Sequence, residues 1–337
     1  MSSAARAITG ELTPRRPQWL TIFLDRFLSG AALIVLIAVF SILAPGFFSV
    51  SNFLSIANQV SIVGIIAIGM TLVIVTSGID LSVGSLVAFS ACVAALLMHT
   101  NDPPFEQPGL LAGMPWLALV AGVLAGGALG WVNGVLITRL GITPFIITLG
   151  MMSIARGASL VMTEEQPVNA LPESVFVVGN GSLGPVPIPA IILLALAAIM
   201  AVILSRTRLG RYAYALGSNE EAVRLSGVNA DAYKTWIYVI MGLLCGVAGA
   251  ISIGRVSSAE PNAALGYELD AIAAVVIGGA SLMGGRGTIV GTLLGIAIMG
   301  VLRSGLVFLN VSTAWQQLVI GGVVILAVWI DQLRQGR

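Results

Sequence analysis

The sequence predicts an all-α integral membrane protein of about ten transmembrane helices with both termini cytoplasmic. Three observations carry that prediction. Of 337 residues, 57% are hydrophobic and only 9% are charged, with a mean hydropathy of +1.00. A soluble domain carries roughly 25% charged residues, and a chain this poor in charge does not cover its own surface in water. Apolar runs recur along the sequence, and Lys and Arg fall into alternate connecting segments. The 40 glycines agree, glycine being commoner in transmembrane helices than in soluble ones.

A helix needs about 20 apolar residues to cross the hydrocarbon core. Ten runs qualify: 28–44, 54–76, 81–99, 116–138, 144–162, 189–204, 235–253, 269–283, 288–309 and 315–331, the sixth and eighth being short. Residues 1–27 then form a cytoplasmic tail, 28–331 the membrane domain with a cytoplasmic loop at 206–234, and 332–337 a C-terminal tail. The first apolar run follows Arg6, Arg15, Arg16 and Arg26 but lacks a small-x-small cleavage site, so it reads as an uncleaved helix. Ser77-Gly78-Ile79-Asp80 divides the second span from the third, and Gly284-Gly285-Arg286-Gly287 the eighth from the ninth.

Orientation follows from the excess of Lys and Arg in cytoplasmic loops. With the N-terminus inside, 13 of the 16 basic residues are cytoplasmic: Arg6, Arg15, Arg16, Arg26, Arg139, Arg206, Arg208, Arg211, Arg224, Lys234, Arg286, Arg334 and Arg337. Arg255 is outside, while Arg156 and Arg303 fall within spans. Outer loops collect Asp102, Glu106, Glu164, Glu165, Glu173, Glu260 and Glu268. A faint internal echo pairs Gly78-Ile79-Asp80-Leu81-Ser82-Val83-Gly84-Ser85-Leu86 with Gly285-Arg286-Gly287-Thr288-Ile289-Val290-Gly291-Thr292-Leu293. It reads either as an inherited repeat, common in transporters, or as coincidence among common apolar residues.

In the loop 206–234, Ser218-Asn219-Glu220-Glu221 has the spacing of a capping box. Ser218 accepts from the Glu221 amide and the Glu221 carboxylate reaches back. Glu220 and Glu221 suit the positive end of a helix dipole and Arg224 the negative end, with Gly227 as C-terminal cap. A short helix over roughly 219–226 results, with Ala222, Val223 and Leu225 as its apolar face. It is either an ordinary loop helix or a lever for a soluble partner.

Arg156 lies seven residues before Thr163, roughly 10 Å of helix, within snorkelling reach of the outer interface. Arg303 has the same ambiguity between snorkelling and a role in transport, and no mid-span acid presents itself as a partner for either. Asp80 sits where the second span breaks, beside Ser82 and Ser85. It reads as an N-cap of the third span or as a polar break on a pathway. Thr76, Asp80, Ser82, Ser85 and Asp270 are the candidate path positions. For Asp270, as for Glu268, capping of the eighth span is the competing reading.

Several absences narrow the class. The stretch 278–287 lacks G-K-[ST] and is no P-loop, and neither H-E-x-x-H nor G-x-S-x-G occurs. Cys92 and Cys245 read as small buried hydrophobes, and His99 is the only histidine, which leaves no metal site. Mid-membrane acid or histidine relays are nearly lacking, so energy for active transport has to come from outside the chain.

The run Gly69-Met70-Thr71-Leu72-Val73-Ile74-Val75-Thr76-Ser77-Gly78-Ile79-Asp80-Leu81-Ser82-Val83-Gly84-Ser85 strongly resembles the hallmark segment of ribose-type sugar ABC permeases. So do Thr207-Arg208-Leu209-Gly210-Arg211-Tyr212-Ala213-Tyr214-Ala215-Leu216-Gly217-Ser218-Asn219-Glu220-Glu221-Ala222 and its continuation Arg224-Leu225-Ser226-Gly227-Val228-Asn229. Tyr267-Glu268-Leu269-Asp270-Ala271-Ile272-Ala273-Ala274-Val275-Val276-Ile277-Gly278-Gly279 and the Gly284–Thr288 turn look like the same family, and the likeness runs from about 30 to 331. The resemblance implies a homodimer or heterodimer of permeases in the lipid of the bacterial inner membrane. A cytoplasmic ABC ATPase would consume ATP and Mg, and a periplasmic or other extracytoplasmic sugar-binding protein would deliver a pentose, hexose or related polyol. It further implies that Ser218, Glu220, Glu221, Ala222, Arg224 and Gly227 belong to the segment that meets the ATPase. No nucleic acid partner, intrinsic cofactor or enzymatic activity is expected. A self-sufficient carrier or channel for a small polar solute is the alternative, and a membrane enzyme a more distant one.

Overall fold

The computed structural model describes residues 18–100, 104–105 and 107–335. Arg6, Arg15, Arg16, Asp102, Glu106 and Arg337 lie outside the described residues. The helices are α1 (Gln18–Leu43), α2 (Val50–Gln59), α3 (Ser61–Val75), α4 (Val83–Met98), α5 (Pro115–Leu140), α6 (Pro144–Met162), α7 (Phe176–Asn180), α8 (Ile188–Arg206), α9 (Arg208–Leu225), α10 (Ala230–Val256), α11 (Tyr267–Ile277), α12 (Ile289–Phe308) and α13 (Thr313–Gln335). A two-stranded hairpin, β1 (Ser182–Leu183) and β2 (Val186–Pro187), sits between α7 and α8.

Local chemistry sets many of these ends. Prolines open α5 and α6 at a position where no backbone N–H is missed, and Gly141 closes α5 in the left-handed region. Asn229 and Thr288 cap α10 and α12 by accepting from the amides of Ala232 and Gly291.

Among the described residues, α5, α6, α8, α10 and α12 are each long and apolar enough to cross a membrane. α2 and α3 pass that test only as a pair, bent by 52° at Val60 where one span was expected over 54–76. The eighth expected span, 269–283, is helical only as α11, and the turn occupies 278–288. Gly279, at φ +87°, explains the early stop, because a left-handed backbone cannot continue a right-handed helix.

α3 is the hub. It is apolar on all sides, and every residue except Val63 is buried, the pattern of a helix enclosed by others. α5 and α10 form the tightest crossing. A Cβ on Gly126 or Gly130 of α5 would run into the carbonyl oxygen of Gly242 or Tyr238, and one on Gly134 into the Thr235 backbone. Three glycines four residues apart therefore bring the two backbones into contact. Large apolar side chains such as Trp131, Ile154, Leu194, Ile199 and Trp236 remain exposed, as a lipid-facing surface requires.

Candidate functional site

At one end of the bundle, α9 changes direction at Asn219, whose φ of −163° and ψ of 97° are not helical. Asn219 Oδ1 accepts from the Ala222 amide at 2.9 Å, so Asn219 is the cap. The expected capping box is one residue off. Residues 208–218 are already helical, which places Ser218 in the last turn before the kink, where its Oγ donates to the Tyr214 carbonyl at 2.8 Å. Glu221 is exposed and does not reach back. The C-terminus is a Schellman motif: Gly227 has φ +80°, its amide donates to Arg224 O, and the Val228 amide donates to Val223 O.

The expected apolar face of this short helix is split. Val223 is buried with Leu216 and Ala230, whereas Leu225 is 83% exposed and Ala222 is exposed beside Glu221. Glu220 ties the helix down, pairing with Arg224 at 2.9 Å and with Lys234 of α10, while Arg224 also pairs with Asp231. Partial burial acts to raise the Glu220 carboxyl, but its hydrogen bonds to Lys234 and Arg224 outweigh that and hold it below its ordinary value. The acidic and apolar outer face thus stands on a braced base.

The N-terminal limb of α9 is seated on two turns. Ser77, itself at φ +61°, donates from Oγ to Met283 O at 2.8 Å and to Gly217 O at 3.2 Å. The Tyr214 hydroxyl donates to Gly287 O at 2.7 Å, and the Gly285 amide to Val75 O at 2.9 Å. A Cβ on Gly217 would overlap the Val75 carbonyl. α9 is therefore joined directly to the end of α3 and to the turn before α12. Thr292, in the second echoing segment, also hydrogen-bonds Thr71 of α3 at 2.7 Å.

Of the candidate path positions, Asp80 and Ser82 lie buried in the α3–α4 turn, with Ser85 buried in the first turn of α4. Asp80 is not the helix cap: the N-cap position of α4 is Ser82, which itself makes no capping bond. Asp80 Oδ1 instead accepts from the Ser82 amide at 2.9 Å and hydroxyl at 2.6 Å, closing an Asx-type turn one step earlier. Asn133 of α5 donates to Ser82 Oγ at 3.0 Å, and Thr148 of α6 binds the Leu81 amide. Asp80 Oδ2, Asn133 Oδ1 and the Tyr238 hydroxyl are buried without a hydrogen-bond partner among the described residues. Thr76 is also buried, but bonds only to Val73 O.

Asp270 is not with them. It lies in the first turn of α11, whose cap position is Gly266 with no side-chain cap. Asp270 and Glu268 therefore do not cap that helix. Asp270 pairs with Arg303 of α12 at 2.9 Å, supplying the acid that the sequence did not reveal. Arg156 turns to the loop before α11, donating to Pro261 O at 2.5 Å and Ala263 O at 2.9 Å. Arg255 reaches the α2–α3 bend and donates to the Asn58 carbonyl there. Cys92 and Cys245 are buried free thiols, and His99 is buried with Nδ1 against Thr100 O.

Sequence reasoning missed Asn133, Tyr238, Gly217 and the Asp270–Arg303 pair. Only the α5 glycine ladder, at Gly122, Gly126, Gly130 and Gly134, carried a readable signal. It marks the helix face from which Asn133 projects.

Residues 52–328 match the family model described as branched-chain amino acid transport system / permease component. The ribose import permease protein RbsC of Escherichia coli (strain K12) is 46% identical over 308 residues, 90% of this chain and 92% of that protein. RbsC of Bacillus subtilis (strain 168) is 44% identical over 303 residues, 89% of this chain and 90% of its own. The D-allose transport system permease protein AlsC of Escherichia coli (strain K12) is 37% identical over 327 residues, 97% of each. No solved structure matches the chain. With several apolar membrane-length helices and this likeness over nearly its whole length, the chain is a multi-pass membrane protein that belongs to the branched-chain amino acid transport system permease-component family, among relatives that are sugar import permeases.

Proposed function

We propose that the chain is the membrane-spanning subunit of a bacterial inner-membrane ABC importer that moves a small sugar inward by alternating access. The sugars carried by its relatives support the substrate class: ribose, D-allose, fructose and galactose or methyl galactoside. Two permeases, a cytoplasmic ATPase using ATP and Mg, and an extracytoplasmic binding protein complete the machine. Ten crossings with both termini inside agree with the charges. Arg206, Arg208, Arg211, Arg224, Lys234 and Arg286 gather at the α9 end, while Glu164, Glu165, Glu173 and Glu260 lie in the connections between α6 and α8 and between α10 and α11. α11, about 16 Å long as a helix, completes its crossing through the turn 278–288.

The carrying observation is the 220–225 helix: exposed at Glu221, Ala222 and Leu225, braced by Glu220, and bonded through α9 to both turns. Pressure from an ATPase on that face moves Gly217 and Tyr214, and with them the inner ends of α3 and α12. Ser218 and Arg224 hold the helix; Glu221 and Ala222 meet the partner; Gly227 ends it. Asp80, Ser82 and Ser85 give the α3–α4 turn its shape beside that route.

The test is reconstitution. Alone in proteoliposomes the chain should neither hydrolyse ATP nor concentrate sugar, and both should appear when the ATPase and loaded binding protein are added. Uphill uptake by the chain alone on a proton or sodium gradient would overturn the reading. Glu221→Ala and Gly227→Val should lower uptake and co-purified ATPase per permease. A Cβ at Gly227 meets open space, so its cost is backbone strain of about 1–3 kcal/mol.

A further inference from the structure

We infer that the cavity enclosed by α4, α10 and the segment 257–266 is a holding site for a neutral polyhydroxyl solute, contacted by Ser252, Ser258, Glu260, Asn262 and Tyr267. The inference rests on the importer reading and names where, within this chain, the sugar is held on its way. The cavity measures about 320 Å³, at the small end of the range for small-molecule sites, which suits a monosaccharide.

The segment 257–266 joins α10 to α11 without regular structure and reaches into the bundle. Near its start, Ala259 forms a β-bridge with Val168. Arg156 of α6 then fixes it, donating from Nη1 to the carbonyls of Pro261 and Ala263. Ala264 meets the first turn of α4, where a Cβ on Gly84 would lie 2.4 Å from the Ala264 carbonyl oxygen. Gly84 thus lets the segment close against α4, while Ala91, midway along that helix, lines the wall. Irregular backbone is tolerated at membrane depth only where protein buries it or where it lines a water-filled cavity.

Five polar side chains converge on this space, and none makes a side-chain hydrogen bond or ion pair among the described residues. Ser252 shows that this is not a general habit of the chain. Ser41, Ser61, Ser159 and Ser205 each donate to the carbonyl four residues back in a helix. Ser252, half-buried within α10, makes no such bond. The nearby cations are already committed, Arg156 to the segment itself and Arg255 to Asn58.

The chemistry selects the ligand class. Hydroxyls and a carboxamide both donate and accept, and the Glu260 carboxylate accepts from two more hydroxyls. A carboxylate without an uncommitted cation turns anions such as sugar phosphates away. Adjacent hydroxyls of a neutral sugar ring match this set, and the Tyr267 ring offers a face to its C–H side.

Cysteine protection in the reconstituted complex, with its ATPase and binding protein, tests the site. Ser252→Cys and Asn262→Cys should react with an impermeant thiol reagent added outside, against a low background because Cys92 and Cys245 are buried. Ribose, D-allose, fructose and galactose are the probes, and the imported one should slow both reactions, which a merely structural role would not produce. Ser252→Ala and Tyr267→Phe each remove one hydroxyl and should lower sugar moved per ATP hydrolysed by about fivefold. Import with unreactive or unprotected cysteines, or with wild-type ratios in both hydroxyl variants, would overturn the inference and leave the importer reading standing. Slowing by choline but not by the imported sugar would also overturn it, by making Glu260 the core of a cation site. A wild-type complex that imports no sugar would instead refute the importer reading, and the inference with it.

Discussion

Between α3 and α4 the chain turns through residues 76–82, and between α11 and α12 through 278–288, each time from one buried apolar helix into another. The first turn is held by side chains. Asp80 closes it onto Ser82, Asn133 and Thr148 anchor it from α5 and α6, and Ser77 reaches across to Met283 and Gly217. The second relies chiefly on glycine, with Ser281, Ser77 and Tyr214 bonding its backbone. Gly279, Gly284 and Gly285 take positive φ, and backbone bonds such as Ser281 N to Arg286 O close the loop. The helices that follow repeat one another more closely. Ser85 donates to Ser82 O and Thr292 to Thr288 O, and Gly84 and Gly291 each admit a neighbouring carbonyl. The echo in sequence thus marks helix starts, and the divergence lies in the turns. A turn held by side chains yields when polar groups are removed, whereas a glycine turn yields when carbon is added.

The largest effect should come where both turns share a seat. Gly217→Val forces a branched side chain into the Val75 carbonyl and the Gly285 amide. About 3 kcal/mol of destabilisation is expected, since overpacking against backbone cannot relax by a rotamer change. Thermal unfolding of the detergent-purified chain reads it, and an unchanged midpoint would mean that α9 does not sit on the turns.

Gly284→Ala should come next, at about 1–3 kcal/mol, because φ is +86° and the added Cβ overlaps Ser77 Oγ. Ser77→Ala in the same chain should relieve the overlap but not the dihedral strain, so partial rescue is the expected outcome. Full rescue would assign the cost to crowding alone.

Asp80→Ala breaks the other turn by subtraction, stranding the buried Ser82 amide and hydroxyl, at about 1–3 kcal/mol. Asp80→Asn keeps an acceptor for the Ser82 amide and removes a buried charge that has no cationic partner among the described residues, so it should cost less. The reverse order of the two variants would show that the charge itself stabilises the turn.

The smallest expected effect is at the exposed helix, where Glu220 is held below its ordinary value of 4.5. A depressed folded value means stability present above the unfolded carboxylate range and lost as pH falls through and below it. Glu220 and its partners are partly exposed, so each pair is worth at most about 1 kcal/mol and is screened by salt. Glu220→Gln should flatten the acid limb of the stability profile by lowering its neutral plateau, by about 1 kcal/mol at most.

Much of this molecule was legible in one dimension because the bilayer imposes one-dimensional rules. Apolar length, glycine content and Lys/Arg placement report crossings before any contact forms, and the two turns and the Gly227 cap follow from local backbone chemistry. Local chemistry also explains the near miss at the 220–225 helix. Ser218 and Asn219 are both competent caps, and only the seating of residues 208–218 against Val75 and Gly285 determined which one the helix uses. Asp80 was visible as a polar break, but Asn133 and Thr148, which bond Ser82 and Leu81 beside it, lie 53 and 68 positions away from it in sequence. What the sequence by itself determined was therefore a helical membrane protein of this permease family, with its turns and its outward helix. Tertiary structure alone decided the bend at Val60, the pairing of Asp270 with Arg303 across 33 residues, and the joining of α9 to both turns. The physical reason is range: hydropathy and capping act within a few residues, while a buried polar group finds its partner wherever close-packed helices bring one.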